Sequence, residues 1–274
     1  MSILVFSILV WLGSFSAGLL GSLTGLGGGV VIVPLLTSVF GVDIRYAVGA
    51  SLVSVIATSL GSASIYIKKG FTNLRLGMFL EVATTIGAII GAMVATFVSV
   101  KILGFVLAFV LIYSAYLSQR PQAEISETET QEPLSTYFQL YGTYPTADRL
   151  ISYQAHSLPA GFIIMLIAGV ISGLLGIGSG AFKVLAMDQI MGLPFKVSTT
   201  TSNFMIAVTA AASAGVYLTR GYIDPGVSMP VVLGVLPGAF VGARILIGAK
   251  TNILRNIFSV VLLIMAFKMI YNSL

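Results

Sequence analysis

The residues of this chain that could do chemistry gather around two glycine-rich knots. These are Gly25-Leu26-Gly27-Gly28-Gly29 and Gly176-Ile177-Gly178-Ser179-Gly180, 151 positions apart (176 − 25). Glycine takes positive φ and lets a ligand come close to the backbone. A helix that starts just after such a loop aims free N–H groups and a positive dipole end into it, which suits a small anion. Gly25, Gly27, Gly28, Gly29, Gly176, Gly178, Ser179 and Gly180 are therefore candidate substrate-binding residues. The rival reading is that the glycines only permit tight packing of a hairpin.

Polar groups stand near both knots. Thr199-Thr200-Thr201-Ser202-Asn203 heads one apolar run, and Val48-Gly49-Ala50-Ser51-Leu52 is its counterpart in the other half. Ser51, Ser202 and Asn203 can complete an oxyanion's shell of hydrogen bonds, or they can cap and cross-link helices. Lys183 lies three residues past Gly180 in an apolar run, where an ammonium needs a partner, a function, or a route to an interface. Glu81, a lone carboxylate about two turns into another run, could pair with a basic residue or carry a coupling proton. Asp188, Arg244 and Lys268 are weaker candidates, and Arg244 reads more simply as an interface anchor.

The elements that must position these groups belong in a bilayer. Hydrophobic residues make up 57% of the 274-residue chain and charged residues 8%, against roughly 25% charged in an ordinary soluble domain. The mean hydropathy is +1.03. At about 20 residues per span there is room for seven to ten crossings, and none for a catalytic or nucleic-acid-binding domain beside them. The net charge of +5 comes from basic residues scattered singly in short loops, a pattern of membrane orientation. With no cysteine and one histidine, His156, neither a thiolate site nor a histidine metal site can be built, so no metal and no cofactor is expected. No paired nucleophile and base is present, and an enzyme is not expected. The run Ile3 to Leu23 lacks a basic leader and a small-residue cleavage site, so a retained helix is expected there.

The first half reads as an apolar run to the first knot, a half-helix from Val30 to Phe40 limited by Pro34, and spans near 47–67, 75–98 and 101–118. Gly87 with Gly91, and Gly61 with Ser62 and Ala63, allow close helix contact where lipid gives no hydrophobic drive. Residues 119–157 carry Glu124, Glu127, Glu129, Glu132 and Asp148 and read as a polar linker. Tyr137, Phe138, Tyr141, Tyr144 and Tyr153 suggest that its second half lies on the membrane surface or the helices. Shifting the sequence by 151 then aligns the halves without a gap over about a hundred residues, pairing Gly41 with Gly192, Ser51 with Ser202, Thr58 with Thr209, Tyr66 with Tyr217, Gly87 with Gly238 and Gly91 with Gly242. Such a match marks an internal duplication.

The loop charges swap between the halves: Lys68, Lys69 and Arg75 follow the second span of the first half, whereas Arg244, Lys250 and Arg255 follow the third span of the second. If basic loops stay in the cytoplasm, the repeats are inverted. The expected fold is thus an all-α polytopic membrane protein of two inverted repeats, residues 1–118 and 158–274, joined by the linker 119–157. Each repeat is a broken, re-entrant helical hairpin plus three transmembrane helices, and both termini lie outside.

The chain resembles the TauE/SafE family of membrane exporters of sulfite and related organosulfur anions. The resemblance is carried by Gly25 to Gly29 with Pro34, by Ser51, and by Gly173-Leu174-Leu175-Gly176-Ile177-Gly178-Ser179-Gly180 with Pro194, Thr201-Ser202-Asn203-Phe204 and Arg220-Gly221. Ser179 stands where a third glycine is usual, and Leu185 where a proline is common. The resemblance implies contact between substrate and the two glycine loops with the polar residues after them, a small anion of the sulfite, sulfonate or thiosulfate class as cargo, and a place in the cell membrane. Alternating access is the expected mechanism, with Glu81 the residue on which proton coupling would rest if the transport is coupled; an anion channel of the same architecture is the alternative.

Overall fold

The computed structural model describes residues 3–95, 97–99, 102, 105, 108, 109, 112, 113, 115, 116, 119, 135, 137–145, 150–176 and 178–273. Most of the span expected at 101–118 falls outside them, as do Glu124, Glu127, Glu129, Glu132 and Asp148 of the linker and Ile177 of the second knot.

Helix α1 (Ile3–Thr24) runs into the first knot, and α2 (Gly29–Pro34) leaves it and continues as a π-helical turn, Leu35–Val39. This second arm doubles back along the first: a Cβ at Gly13 would stand 2.6 Å from Leu35, and one at Gly28 would stand 3.1 Å from the Ala17 carbonyl. Its 11 residues (29 to 39) span about 16 Å at 1.5 Å each, half the hydrocarbon thickness. Pro34 has no N–H to give, and the helix widens to π geometry directly after it. The helices α3 (Ile44–Lys68) and α4 (Leu74–Val94) follow, started by Asp43 and Asn73, whose side chains accept the N–H groups of Arg45 and Leu76.

The second half repeats the plan with α5 (Leu158–Leu175), α6 (Gly180–Leu185) with its π turn Ala186–Ile190, α7 (Phe195–Thr219), α8 (Pro225–Gly248) and α9 (Thr251–Ser273). Here the π turn follows Leu185, so a proline is not required for it. Among the described residues six helices are long and apolar enough to cross a membrane: α1 from Val5, α3, α4, α5, α7 and α8.

One element was not expected. The linker's second half forms an antiparallel hairpin, β1 (Tyr141–Pro145) with β2 (Leu150–Gln154). Tyr153 is buried on it, and its hydroxyl accepts from Asn73 Nδ2 at 3.2 Å. Burial pushes that phenol's pKa up, and the Asn73 hydrogen bond pulls it the other way. Phe138 packs on Phe79, and Tyr144 packs on Phe71. Tyr137 and Tyr141 stay exposed.

The halves interlock by exchange: α1 lies along α8, and α5 lies along α4. Both contacts are glycine-lined. A Cβ at Gly87 or Gly91 would collide with the carbonyls of Leu166 or Val170 on α5, and one at Gly238 with that of Phe15 on α1. The small residues here are packing devices. Helices α3 and α7 cross at the centre, where Ser59 Oγ donates to the Asn203 carbonyl. They run antiparallel: the head of α3 at Gly49 abuts the Tyr222 carbonyl beyond the end of α7, and Thr200 at the head of α7 donates to the Phe71 carbonyl beyond the end of α3 at 2.9 Å. Adding 151 turns the first contact into the second (49 to 200, 71 to 222).

Packing this close fixes a testable expectation. Gly87→Ala and Gly238→Ala each add a methyl against backbone, an overpacking cost of about 1–3 kcal/mol, and should lower the melting temperature of detergent-purified protein. Gly215→Ala, where nothing stands within 4 Å, should leave it unchanged or raise it.

Candidate functional site

Both knots require backbone that ordinary residues avoid. Gly25, Gly27 and Gly28 have φ of 75°, 73° and 79°, and Gly176 and Gly178 have 67° and 77°. Ser179 follows at 51°, a left-handed conformation that costs a side chain roughly 1–2 kcal/mol. Gly29 and Gly180 open the half-helices, and a Cβ at Gly180 would collide with the Gly25 carbonyl of the opposite knot. The knots therefore touch. They share a floor too: a Cβ at Gly27 would stand 2.9 Å from Ile206 and 3.2 Å from Val55, and one at Gly178 would stand 2.7 Å and 3.0 Å from the same two side chains. Val55 and Ile206 are each other's counterparts in the duplication (55 + 151), on α3 and α7.

Serines hold the knots crosswise. Ser51 Oγ donates to the Gly176 carbonyl at 2.9 Å, and Ser202 Oγ donates to the Gly25 carbonyl at 3.0 Å. Each hydroxyl has one proton, so in this arrangement both protons are committed to carbonyls of the other half's knot. Asn203 is similarly engaged, its Nδ2 donating to the carbonyls of Ser22 and Thr199 at 3.1 and 3.2 Å. Of the two roles open for these three residues, helix cross-linking is the one this arrangement occupies.

The polar groups left over lie elsewhere. Among the described residues eight buried side-chain polar atoms have no hydrogen-bond partner: the hydroxyls of Ser172, Ser179 and Thr199 and the Oδ1 of Asn203, in or close to the knots in sequence or contact, and the hydroxyls of Ser14, Thr72, Ser135 and Ser228. Thr199 borders the first knot, with its Cγ2 3.1 Å from a Cβ at Gly25, and Ser179 is part of the second. An orphaned buried hydroxyl costs about 1–3 kcal/mol, so several around two glycine loops call for a ligand or ordered water.

Lys183 and Glu81, candidates on separate grounds, are brought together. Nζ of Lys183 lies 3.1 Å from Glu81 Oε2, with 0% and 7% of the two side chains exposed. Snorkelling of Lys183 to an interface is excluded at that burial. Thr209 joins them: Lys183 Nζ donates to its Oγ1 at 2.5 Å, and that hydroxyl donates to Glu81 Oε1. Thr84 reaches Oε2 at 2.8 Å, and Thr85 reaches Oε1 at 3.2 Å. None of these three threonines stands out in the sequence for this role. Thr84 and Thr85 had a signal, since they lie three and four residues after Glu81 on one helix face. Thr209 had only its match to Thr58. Asp188 is buried on the π turn, with Gln189 Nε2 2.7 Å from its Oδ2. Arg244 is exposed on α8 and Lys268 partly buried on α9.

The two ends of the central pair carry matching cation–ring contacts. The Arg45 guanidinium sits 5.6 Å over the Tyr222 ring, and Lys196 Nζ sits 5.9 Å over the Phe71 ring. These too are one contact in the register (45 to 196, 71 to 222). Arg45 and Arg220 line a cleft with Tyr217 and Tyr222.

A family model described as "Sulfite exporter TauE/SafE" matches residues 10–269. The chain is 31% identical to the probable membrane transporter protein YunE of Bacillus subtilis (strain 168), over 98% of each chain. It is 27% identical to the probable membrane transporter protein YdhB of the same organism, over 86% of this chain and 89% of that one. No solved structure matches it. A multi-pass helical protein with doubled glycine knots, matched almost end to end by that family model, this chain belongs to the TauE/SafE family of membrane transporters.

Proposed function

We propose that the chain exports a small sulfur-containing oxyanion, sulfite or an organosulfonate, across the cell membrane by alternating access. The observation that carries this reading is the meeting of both knots at the crossing of α3 and α7, with the unpartnered hydroxyls of Ser179 and Thr199 beside them. Positive-φ glycine backbone at the head of a half-helix, with free hydroxyl donors alongside, suits a compact anion. The substrate class comes from the family. Gly25, Gly27, Gly28, Gly29, Gly176, Gly178, Ser179 and Gly180 line the site in this proposal, and Ser51, Ser202 and Asn203 hold its shape.

Alternating access is supported by how closed the site is. The knot glycines are packed against each other and against Val48, Val55, Val184 and Ile206, so an anion reaches them only if contacts at one end of the molecule part. The Arg45–Tyr222 and Lys196–Phe71 contacts occupy those two ends. In this reading they close opposite gates, and inverted repeats make the two gates equivalent. Support for inversion comes from the antiparallel α3 and α7, from contacts that exchange under the 151-residue shift, and from the swapped loop charges.

Two measurements test the reading. In proteoliposomes, sulfite flux should saturate and be stimulated by sulfite on the far side, and Gly178→Ala should cut it on the order of tenfold through about 1–2 kcal/mol of backbone strain. Flux unaffected by sulfite on the far side would leave a channel instead. For inversion, the exposed positions Lys69 and Arg220, changed singly to cysteine in this cysteine-free chain, should react with an impermeant maleimide from opposite sides of the membrane; labelling from one side would remove the inverted arrangement.

A further inference from the structure

The second knot carries a charge pair that the first does not. In the duplication the counterparts of Lys183 and Glu81 are Ile32 and Val232 (183 − 151, 81 + 151), so the same place in the fold packs well with apolar side chains. A buried ion pair is generally no more stabilising than apolar residues of similar volume. Stability therefore gives no reason for Lys183 and Glu81.

Ser179 gives a second, independent sign. It is 1% exposed, its hydroxyl has no partner, and it holds a φ of 51° where glycine would sit with less strain. Its counterpart Gly28 places a Cβ 3.5 Å from Thr58 Oγ1, and Thr58 is the counterpart of Thr209. In the second half itself, the Lys183 N–H donates to the Ser179 carbonyl at 3.1 Å, so Ser179 stands one helical turn before the residue that carries the ion pair. A buried cation with its carboxylate partner and an unpartnered hydroxyl thus stand on neighbouring turns beside the second knot.

We propose that Lys183 is the cation of the substrate site and Glu81 its exchangeable counter-ion, so that a monovalent oxyanion binds to Lys183 and Ser179 together with one proton taken up by Glu81. This rests on the reading of the chain as a carrier of small sulfur oxyanions. Charge balances at each stage. Before binding, the ammonium and the carboxylate sum to zero. After it, the ammonium, the anion and the neutral carboxylic acid again sum to zero, and the only bond formed is the O–H on Glu81. An anion arriving alone would leave one uncompensated negative charge in a water-poor interior, which is costly.

Thr209 is placed for the exchange, since it accepts from Lys183 and donates to Glu81. Thr84 and Thr85 remain within reach of the protonated carboxyl, which still accepts hydrogen bonds. The other ionisable groups on the packed elements are Asp188 after α6, Arg75 near the head of α4, and Lys196, Tyr217 and Arg220 toward the ends of α7; α5 has none. Arg75 is held by Gln139 at 2.6 Å and Lys196 by the Ile247 carbonyl at 3.0 Å. The consequence is electroneutral symport, in which anion and proton cross in the same direction and membrane potential alone drives nothing.

The test uses the full chain in vesicles with a trapped pH dye and labelled methanesulfonate, an anion with no titratable proton of its own, and in parallel labelled sulfite. Wild type should move one proton with each methanesulfonate at a rate indifferent to a potassium–valinomycin potential. Glu81→Gln should separate the two, giving uptake without proton movement and dependent on potential. The double variant Glu81→Gln with Lys183→Met, neutral and close in volume, should melt like wild type yet lose about tenfold or more of its uptake, the factor that about 1.4 kcal/mol represents. Saturable wild-type uptake that is electrogenic and proton-free, or a double variant as fast as wild type, would overturn the charge-exchange proposal and leave the carrier reading intact. No saturable uptake of either anion by wild type would overturn both.

Discussion

A backbone carbonyl or N–H left without a partner at membrane depth is expensive, because the bilayer core holds no water to receive it. This chain breaks two helices inside its transmembrane bundle, and the rest of its architecture follows from satisfying those breaks. The answer is reciprocal: Ser51 on α3 bonds the Gly176 carbonyl, and Ser202 on α7 bonds the Gly25 carbonyl. Each knot is closed by backbone bonds within its own half, such as Leu26 N–H to the Gly21 carbonyl and Gly176 N–H to the Ser172 carbonyl, and is tied across by the other half's serine. Both depend on α3 and α7 crossing at the centre, and that crossing depends on the outer helices pressing from either side.

The outer helices press without a hydrophobic drive, since lipid is as apolar as they are. They do so by approach. Glycines at 87, 91, 169 and 173 on one side, and at 18, 234, 238 and 242 on the other, bring backbones close enough that a methyl would not fit. The centre can therefore afford atoms that a looser bundle could not bury: a full ion pair, three threonine hydroxyls around it, and four polar atoms without partners.

Much of this was legible in the sequence because the signals are local or doubled. The knots and their spacing, the half-helices that turn back from them, and the spans expected at 47–67 and 75–98, matched to within a few residues, all show as apolar runs cut by glycine. What was not legible depends on pairings across the fold. A serine offers one proton, and nothing in its neighbours says whether an anion or a distant carbonyl takes it. Lys183 and Glu81 lie 102 residues apart, on elements from different halves, and have no counterpart in the duplication. The hairpin at 141–154 escaped because Gly142, Pro145 and its polar neighbours read as linker; Tyr153 lies on the buried Leu76, Leu80 and Met191 cluster only once the helices are in place.

The central claim is that the joined knots bind a small sulfur oxyanion. The most direct measurement is the melting temperature of the purified chain, titrated with sulfite, methanesulfonate and chloride at constant ionic strength, for wild type and Thr199→Val. The account predicts a saturable rise with the sulfur anions, none with chloride, and a weaker half-saturation in the variant, whose methyl cannot donate a hydrogen bond. No rise with either sulfur anion, or an equal rise with chloride, would contradict it.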